Sequence, residues 1–160
     1  MIRPAELEDA KTIVDIYNRY IAESTATFAT DPMTEAEMKE YIVSAQGLYF
    51  VYEDNGKIVG YCYAHAWKTK AAYRQTLETT VYMIPEYTRR GLGRQLMARL
   101  IDECRQKNHH ALIACITEEN TESVVLHTKL GFEKVSHFKE VGQKFGRWLD
   151  VVDYELILDR

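Results

Sequence analysis

The sequence predicts an α/β (α+β) fold, with a mixed, mostly antiparallel sheet flanked by helices. Three observations predict it: two β-rich runs joined by a tight turn, a strand-loop-helix unit rich in arginine and glycine, and helical periodicity on either side. Strands and amphipathic helices of this kind bury their apolar faces by packing in layers. With 160 residues, 46% of them hydrophobic, the chain has the length of one domain, residues 1–160.

The N-terminal part is predicted to be a short strand followed by two helices. Apolar side chains of the first helix recur at steps of three and four residues, which places them on one face: Leu7, Ala10, Val14, Tyr17 and Ile21. Residues 34–46 are predicted to form the second helix.

A hairpin and a third strand are predicted for the middle of the chain. The runs 48–53 and 57–67 are rich in aromatic and β-branched residues, and Asp54-Asn55-Gly56 between them is a strong turn signal. A polar loop then leads to a strand over residues 77–84.

Helices and strands alternate in the second half. An apolar stripe predicts a helix after the glycine-rich loop: Leu92, Leu96, Leu100 and Cys104. A buried strand over 110–117, a helix from Asn120 to Leu130, and strands around 132–141 and 148–158 follow. The predicted order is β-α-α-β-β-β-α-β-α-β-β.

Composition favours a small-molecule partner. The net charge of −4 and the pI near 5.8 disfavour nucleic acid and anionic lipid as partners. The histidines and cysteines lack the spacing of a zinc site, so no metal is expected.

The cysteines and the N-terminus indicate a cytoplasmic protein. Cys62, Cys104 and Cys115 form an odd set without C-x-x-C spacing, and we expect them to be reduced thiols of the core. The first ten residues are acidic, unlike a basic signal segment, and no apolar run approaches the length of a membrane span.

The loop Arg89-Arg90-Gly91-Leu92-Gly93-Arg94 has the composition of a diphosphate cradle. Glycines let backbone N–H groups turn toward an anion, a helix N-terminus adds partial positive charge, and the arginines add full charges. A P-loop needs Lys-Ser/Thr after its last glycine, and a dinucleotide fingerprint needs a third glycine where Leu96 stands. Alone, the two glycines would equally suit an ordinary turn before a helix.

This R-x-x-G-x-G/A loop resembles the acetyl-CoA loop of the GCN5-related N-acetyltransferase (GNAT) superfamily. Thr88 stands where relatives carry Gln or Arg, so a hydroxyl or Arg89 would make one phosphate contact. Two further segments, Glu78-Thr79-Thr80-Val81-Tyr82 and residues 141–150, resemble the phosphinothricin / methionine sulfoximine acetyltransferase branch. The helix that starts at Asn120 is similar to the last helix of the superfamily.

The resemblance implies the GNAT acyl-CoA N-acyltransferase fold and acetyl-CoA as co-substrate. Backbone N–H groups of residues 81–83 would stabilise an oxyanion, Asn120 would bind pantetheine, and Lys129 would lie near the phosphates. The implied cofactor-binding residues are Val81, Tyr82, Met83, Arg89, Arg90, Gly91, Leu92, Gly93, Arg94, Asn120 and Lys129.

For catalysis, the resemblance implies direct transfer of the acetyl group with Glu78 as the general base. His127 stands where many relatives place a Tyr that protonates the leaving thiolate. An imidazole can serve as acid or second base near neutral pH, but a structural helix histidine is an equal alternative.

For the amine, the resemblance implies a site with cations and aromatic walls. Lys70 replaces an Arg common in relatives, which removes bidentate geometry. The implied substrate-binding residues are Phe28, Lys68, Thr69, Lys70, Tyr73, Glu78, Thr79 and Thr80.

The expected function is acetylation of the α-amine of a small amino acid analogue such as phosphinothricin, methionine sulfoximine or methionine sulfone. Antibiotic or herbicide resistance and a homodimer are further expectations of the resemblance. Two alternatives stay open: an N-acetyltransferase acting on proteins or peptides, and a non-catalytic acyl-CoA-binding sensor.

Overall fold

Seven strands and four α-helices make up the computed structural model, which describes residues 1–159. The strands are β1 (Ile2–Pro4), β2 (Tyr49–Asp54), β3 (Lys57–Ala66), β4 (Thr76–Met83), β5 (Ala111–Thr117), β6 (Glu133–Lys144) and β7 (Arg147–Ile157). The helices are α1 (Ala10–Glu23), α2 (Glu35–Ser44), α3 (Leu92–Gln106) and α4 (Thr121–Lys129). The predicted order of strands and α-helices is confirmed.

All strands belong to one sheet in the order β1-β2-β3-β4-β5-β7-β6. Every neighbouring pair is antiparallel except β4 and β5, which are parallel and connected through α3. The Asn55-Gly56 turn has positive φ at both residues, 50° and 77°, as the predicted hairpin between β2 and β3 requires.

The sheet has an apolar layer on each face. Because successive strand residues point to opposite faces, Phe50 packs in the cluster that contains α3, and Val51 packs in the cluster that contains α1 and α2. The predicted stripe of α3 is buried at Leu96, Leu100 and Cys104. Both layers hold the central strands in place around the gap between β4 and β5.

The sheet forks between β4 and β5. The two strands pair only from Thr76 to Glu78, opposite Ala111 to Ile113. Beyond this point β4 continues along β3 to Met83, and β5 continues along β7 to Thr117. The facing edges of β4 and β5 are therefore unpaired over their C-terminal halves, within the sheet.

One burial prediction is wrong. Cys62 and Cys104 are buried free thiols, as expected, whereas Cys115 is exposed. Cys115 lies on β5 beyond its last pairing with β4, where the fork leaves space beside the strand. Among residues 1–159, no helix combines the length and the apolar character needed to cross a membrane.

Candidate functional site

A pocket of about 1220 Å³ occupies the fork between β4 and β5. Residues from both edges line it, with α3, α4 and the segment after α1 closing its sides. Glu78 lies at the point where the strands separate. The fork thus places one carboxylate at the junction of two halves of a single pocket.

Backbone donors line the β4 edge of the pocket. Ile84 N–H donates to the Val59 carbonyl oxygen at 2.8 Å, and the register between β3 and β4 is unbroken up to this point. In an antiparallel pair every second residue bonds to the same neighbour, so Tyr82 N–H points to β3. Val81 and Met83 N–H therefore face the gap, as expected for a strand that can pair with an extended ligand.

The glycine-rich loop closes the far end of this half. Gly91 is the N-cap of α3 with φ +79°, a left-handed conformation that favours glycine. The Gln95 N–H makes a bond to the Gly91 carbonyl oxygen, so the N–H groups of residues 92–94 lie before the first intrahelical bond. Gly91, Gly93 and Arg94 line the pocket, so an anion there would meet free N–H groups and a guanidinium.

The remaining loop residues contribute unequally. Arg89 lines the pocket and is paired with Glu122 at 2.7 Å. Arg90 packs its guanidinium on the Tyr87 ring at 4.6 Å from the centroid, and the Leu92 side chain packs against the core. Thr88 lines the pocket with its hydroxyl donating to the Pro85 carbonyl oxygen at 2.8 Å.

Helix α4 supplies two more predicted residues. Asn120 caps the helix, because its Oδ1 accepts from Ser123 N–H at 3.2 Å. Asn120 also lines the pocket, and the capping bond does not involve its amide nitrogen. Lys129 lines the pocket from the end of the same helix and is exposed.

The other half of the pocket holds the carboxylate. Glu78 lies directly opposite His65 in the β3–β4 register, and 3.5 Å separates His65 Nε2 from Glu78 Oε2. Thr79 and Thr80 follow on the same strand and line the pocket. The buried Thr79 Oγ1 has no hydrogen-bond partner within residues 1–159.

An aromatic wall lines the pocket beside Glu78, and of its members only Tyr82 was predicted from the sequence, as a cofactor-binding residue. Its members are Tyr17, Tyr20, Tyr41, Tyr63 and Tyr82. Tyr20 and Tyr82 lie 4.9 Å apart between ring centroids, and the Tyr20 hydroxyl donates to the Met83 carbonyl oxygen at 2.6 Å. The eleven tyrosines were the available signal, but their clustering depends on how α1 and α2 pack on the sheet.

The rim beside this wall is held by a buried lysine. Lys144 Nζ donates to the carbonyl oxygens of Ser24 and Thr27 at 2.7 and 2.8 Å, and burial lowers the pKa of this ammonium. Phe28 follows in the chain and packs against Gly142, where a Cβ atom would lie 2.2 Å from the ring. Phe28 lines the pocket, as predicted.

His127 is buried and hydrogen-bonded within its own helix. Its Nδ1 lies 2.8 Å from the Ser123 carbonyl oxygen, and its ring meets Phe132 edge-on. A carbonyl oxygen only accepts, so Nδ1 carries the proton. Burial lowers the pKa of this imidazole, which favours the neutral ring. The neutral ring has its single proton on Nδ1, so Nε2 has no proton to donate. This geometry favours the structural alternative over the acid.

The predicted substrate loop is not brought to the pocket. Lys68 packs over the rings of Trp67 and Tyr73, with Nζ 4.5 and 5.7 Å from their centroids. Lys68, Thr69, Lys70 and Tyr73 are exposed and do not line the pocket. In this structure the four residues lie outside the pocket, and their part in binding the amine stays a prediction.

Comparison with known proteins places this pocket in a family. Residues 2–152 match the family model described as an acetyltransferase (GNAT) domain. The chain belongs to the GNAT acetyltransferase family. The resemblance drawn from the sequence and the predicted fold class are confirmed.

Two curated GNAT relatives match nearly the whole chain. A phosphinothricin N-acetyltransferase of Streptomyces coelicolor is 37% identical over 96% of this chain and 94% of its own length. An L-methionine sulfoximine/L-methionine sulfone acetyltransferase of Salmonella typhimurium is 36% identical over 99% of this chain and 94% of its own length.

A solved acetyltransferase structure is similar over the whole of this chain. It is a putative acetyltransferase of Salmonella typhimurium with its cofactor acetyl-CoA. The two structures superpose with a TM-score of 0.96 at 35% identity, covering 100% of this chain and 94% of the other.

Within residues 1–159, no three His, Cys, Asp or Glu side chains come together as a metal-ligand set.

Proposed function

We propose that this protein is an acetyl-CoA-dependent N-acetyltransferase that acetylates the α-amine of a small amino acid analogue of the phosphinothricin, methionine sulfoximine or methionine sulfone type. The observation that carries the proposal is the position of Glu78 at the fork. There it lies between a half with backbone donors and cations and a half walled by aromatic rings.

The backbone half fits a pantetheine and diphosphate ligand. The free N–H groups of Val81 and Met83 suit an extended amide chain, and residues 91–94 with Lys129 suit phosphates. Asn120 adds an amide donor. Acetyl-CoA bound here would supply the acetyl group as a thioester.

The aromatic half fits a small amine. An ammonium must lose its proton before it attacks, and the Glu78 carboxylate is the acceptor placed to take it for direct transfer. Phe28 and the tyrosine wall give apolar and cation–π surface around that point. His127 lines the pocket from α4 with its Nδ1 proton bonded to the Ser123 carbonyl oxygen, so we assign the leaving thiolate no proton from this ring.

The rim that carries Phe28 favours a small amine over a peptide. Phe28 packs on Gly142, and Lys144 holds the preceding residue through the Thr27 carbonyl oxygen, whereas a protein or peptide substrate needs an open groove. A sensor would bind acetyl-CoA without using Glu78. The enzyme hypothesis gives Glu78 a role, whereas the sensor hypothesis gives it none.

The test is release of CoA thiol from acetyl-CoA with a panel of amino acids that includes the three analogues. Saturable turnover is expected, and Glu78→Gln should lower kcat by roughly 10²–10⁴-fold, the range of general base catalysis. Glu155→Gln is the matched control, because Glu155 is a half-buried strand glutamate outside the pocket.

Each other outcome points elsewhere. Turnover only on peptides would move the assignment to a protein substrate. Acetyl-CoA binding without turnover on any amine would favour the sensor. Growth of a sensitive host on phosphinothricin or methionine sulfoximine tests the resistance role, and fractionation tests the cytoplasmic location that the free thiols favour.

We also propose that the protein is a homodimer. The β6–β7 hairpin exposes apolar side chains beside the edge strand β6, with Phe145 and Trp148 56% and 61% exposed. An exposed apolar surface on an edge strand favours pairing with a second copy of the chain. Light scattering should show a dimer that Trp148→Glu dissociates and Val43→Glu, an exposed apolar position on α2, leaves intact.

A further inference from the structure

We propose that Glu78 and His65 act as one proton-accepting unit, in which His65 is the positioning residue that receives the amine proton from Glu78. The inference rests on the proposed function. It is carried by the position of the two side chains, which face each other across β3 and β4 at the fork.

The hydrogen bonding of His65 determines which ring nitrogen can accept. Nδ1 lies 3.0 Å from the Ala66 carbonyl oxygen, which accepts only, so Nδ1 carries a proton in either charge state. In the neutral ring, Nε2 then has a lone pair. That lone pair faces the Glu78 Oε2 at 3.5 Å.

Two acceptors in this arrangement attract each other only through a proton between them. The distance of 3.5 Å is in the range of an ion pair and longer than a good hydrogen bond, so the pair can tighten when an amine binds. A hydrogen bond to Glu78, more than any other contact, raises the pKa of His65.

The proton balance of the step is simple. The substrate ammonium gives one proton to Glu78 when its nitrogen becomes a free amine. Glu78 passes that proton from Oε2 to His65 Nε2, and the other ring proton stays on Nδ1, hydrogen-bonded to the Ala66 carbonyl oxygen. The imidazolium then releases one proton to water, to which the two side chains are open, at 38% exposure for His65 and 31% for Glu78.

Tyr63 and Cys115, which lie near the pair on β3 and β5, are uncharged near pH 7. Tyr63 on β3 packs 5.8 Å from the His65 ring, with Tyr41 of α2 behind it, and burial raises the pKa of Tyr63. On β5, desolvation, with the carboxylates of Asp153 on β7 and Glu78, raises the pKa of Cys115 to about 12. Asp153 is the other carboxylate on this side.

The experiment is the pH dependence of kcat in wild type and His65→Gln, at saturating acetyl-CoA and amine. In wild type, kcat should fall on the acid side as His65 becomes imidazolium and can no longer accept. In His65→Gln, this limb should move to lower pH and kcat at pH 8 should fall by about tenfold, less than the loss of the base itself. The KM for acetyl-CoA should not change.

Two variants control this result. His110→Gln removes a histidine that also pairs with a carboxylate, Asp159 at 3.1 Å, but lies outside the pocket, and it should leave the limb in place. His65→Asn repeats the test with a shorter amide if His65→Gln lowers the melting temperature. If a folded His65 variant keeps both the acid limb and the kcat of wild type, the proposal is overturned.

An NMR titration separates this inference from the proposed function. The His65 imidazole pKa should drop in Glu78→Gln, whether or not an amine substrate is found. If wild type turns over no amine, the proposed function fails, while a drop in that pKa still supports the shared proton. A His65 pKa unaffected by Glu78→Gln overturns the unit even if turnover is found.

Discussion

The two halves of the pocket are built by different means. The half beside Val81, Met83 and the start of α3 presents mainly backbone N–H groups, with Arg94 and Lys129 at its end. The half around Glu78 presents side chains: a histidine, five tyrosines and Phe28. Backbone groups are the same for any sequence with this register, whereas side chains vary.

This difference separates reaction class from substrate choice. The donor half is built chiefly from backbone N–H groups of β4 and of the loop that needs Gly91, so donor binding depends little on most of its side chains. Under the proposed function, the amine is selected by the side chains of the aromatic half. Substitutions in one half should therefore change one Michaelis constant and leave the other in place.

Gly91→Val should give the largest separation. A residue with a Cβ pays about 1–2 kcal/mol to hold a left-handed conformation, so the loop should leave the φ of +79° that orients its N–H groups. The KM for acetyl-CoA should rise by about tenfold, since 1.4 kcal/mol is a factor of ten. The KM for the amine should stay within twofold of wild type, by steady-state kinetics.

Gly146→Val is the matched control for this variant. Gly146 has φ +72°, and neither glycine has a heavy atom within 4 Å of an added Cβ. The control should lose similar stability in urea unfolding and keep its KM for acetyl-CoA. An equal rise of that KM in both variants would mean that stability, and not the loop, sets donor binding.

Lys144→Met should change the other Michaelis constant, the KM for the amine, by a smaller factor. It leaves the carbonyl oxygens of Ser24 and Thr27 without their ammonium donor, and each such loss costs about 1–3 kcal/mol. The rim that carries Phe28 should loosen, and the KM for the amine should rise about threefold to tenfold.

Lys139→Met tests the same change at an exposed position of the same strand. It should alter neither Michaelis constant. A rise of the acetyl-CoA KM in Lys144→Met would show that the two halves are coupled through the rim.

The smallest effect concerns His127, a buried residue of α4 that lines the pocket. Its pKa is lowered in the folded protein. As the pH decreases through the usual histidine range, the unfolded chain therefore binds a proton that the folded chain does not, and the free energy of unfolding decreases. One such proton changes the free energy of unfolding by at most about 1.4 kcal/mol per pH unit. In His127→Gln, urea unfolding between pH 7.5 and 5.5 should lose this contribution.

The pair of His65 and Glu78 acts in the opposite sense. The pKa of His65 is raised, so its contribution to stability is present at low pH and is lost as the pH rises through the folded value. Comparing His127→Gln with His65→Gln therefore separates the two. A steeper acid loss in His127→Gln than in wild type would contradict the buried neutral ring.

Local sequence patterns determined most of the fold and the donor half. The Asn55-Gly56 turn, the stripe of α3, the N-cap Asn120 and Gly91 each depend on contacts within a few residues. The chemistry of such contacts can be read from adjacent positions. The glycine-rich loop therefore indicated the family before any packing was known.

The amine half was decided by packing between distant segments. Lys144 meets Ser24 120 positions away, and the tyrosine wall needs α1 and α2 seated on the sheet. Cys115 is exposed where β4 and β5 have separated, and Lys68 lies outside the pocket with its ammonium over the Trp67 ring. Periodicity records which face of an element is apolar, but not which distant side chain will meet it, so only the tertiary structure determined these contacts.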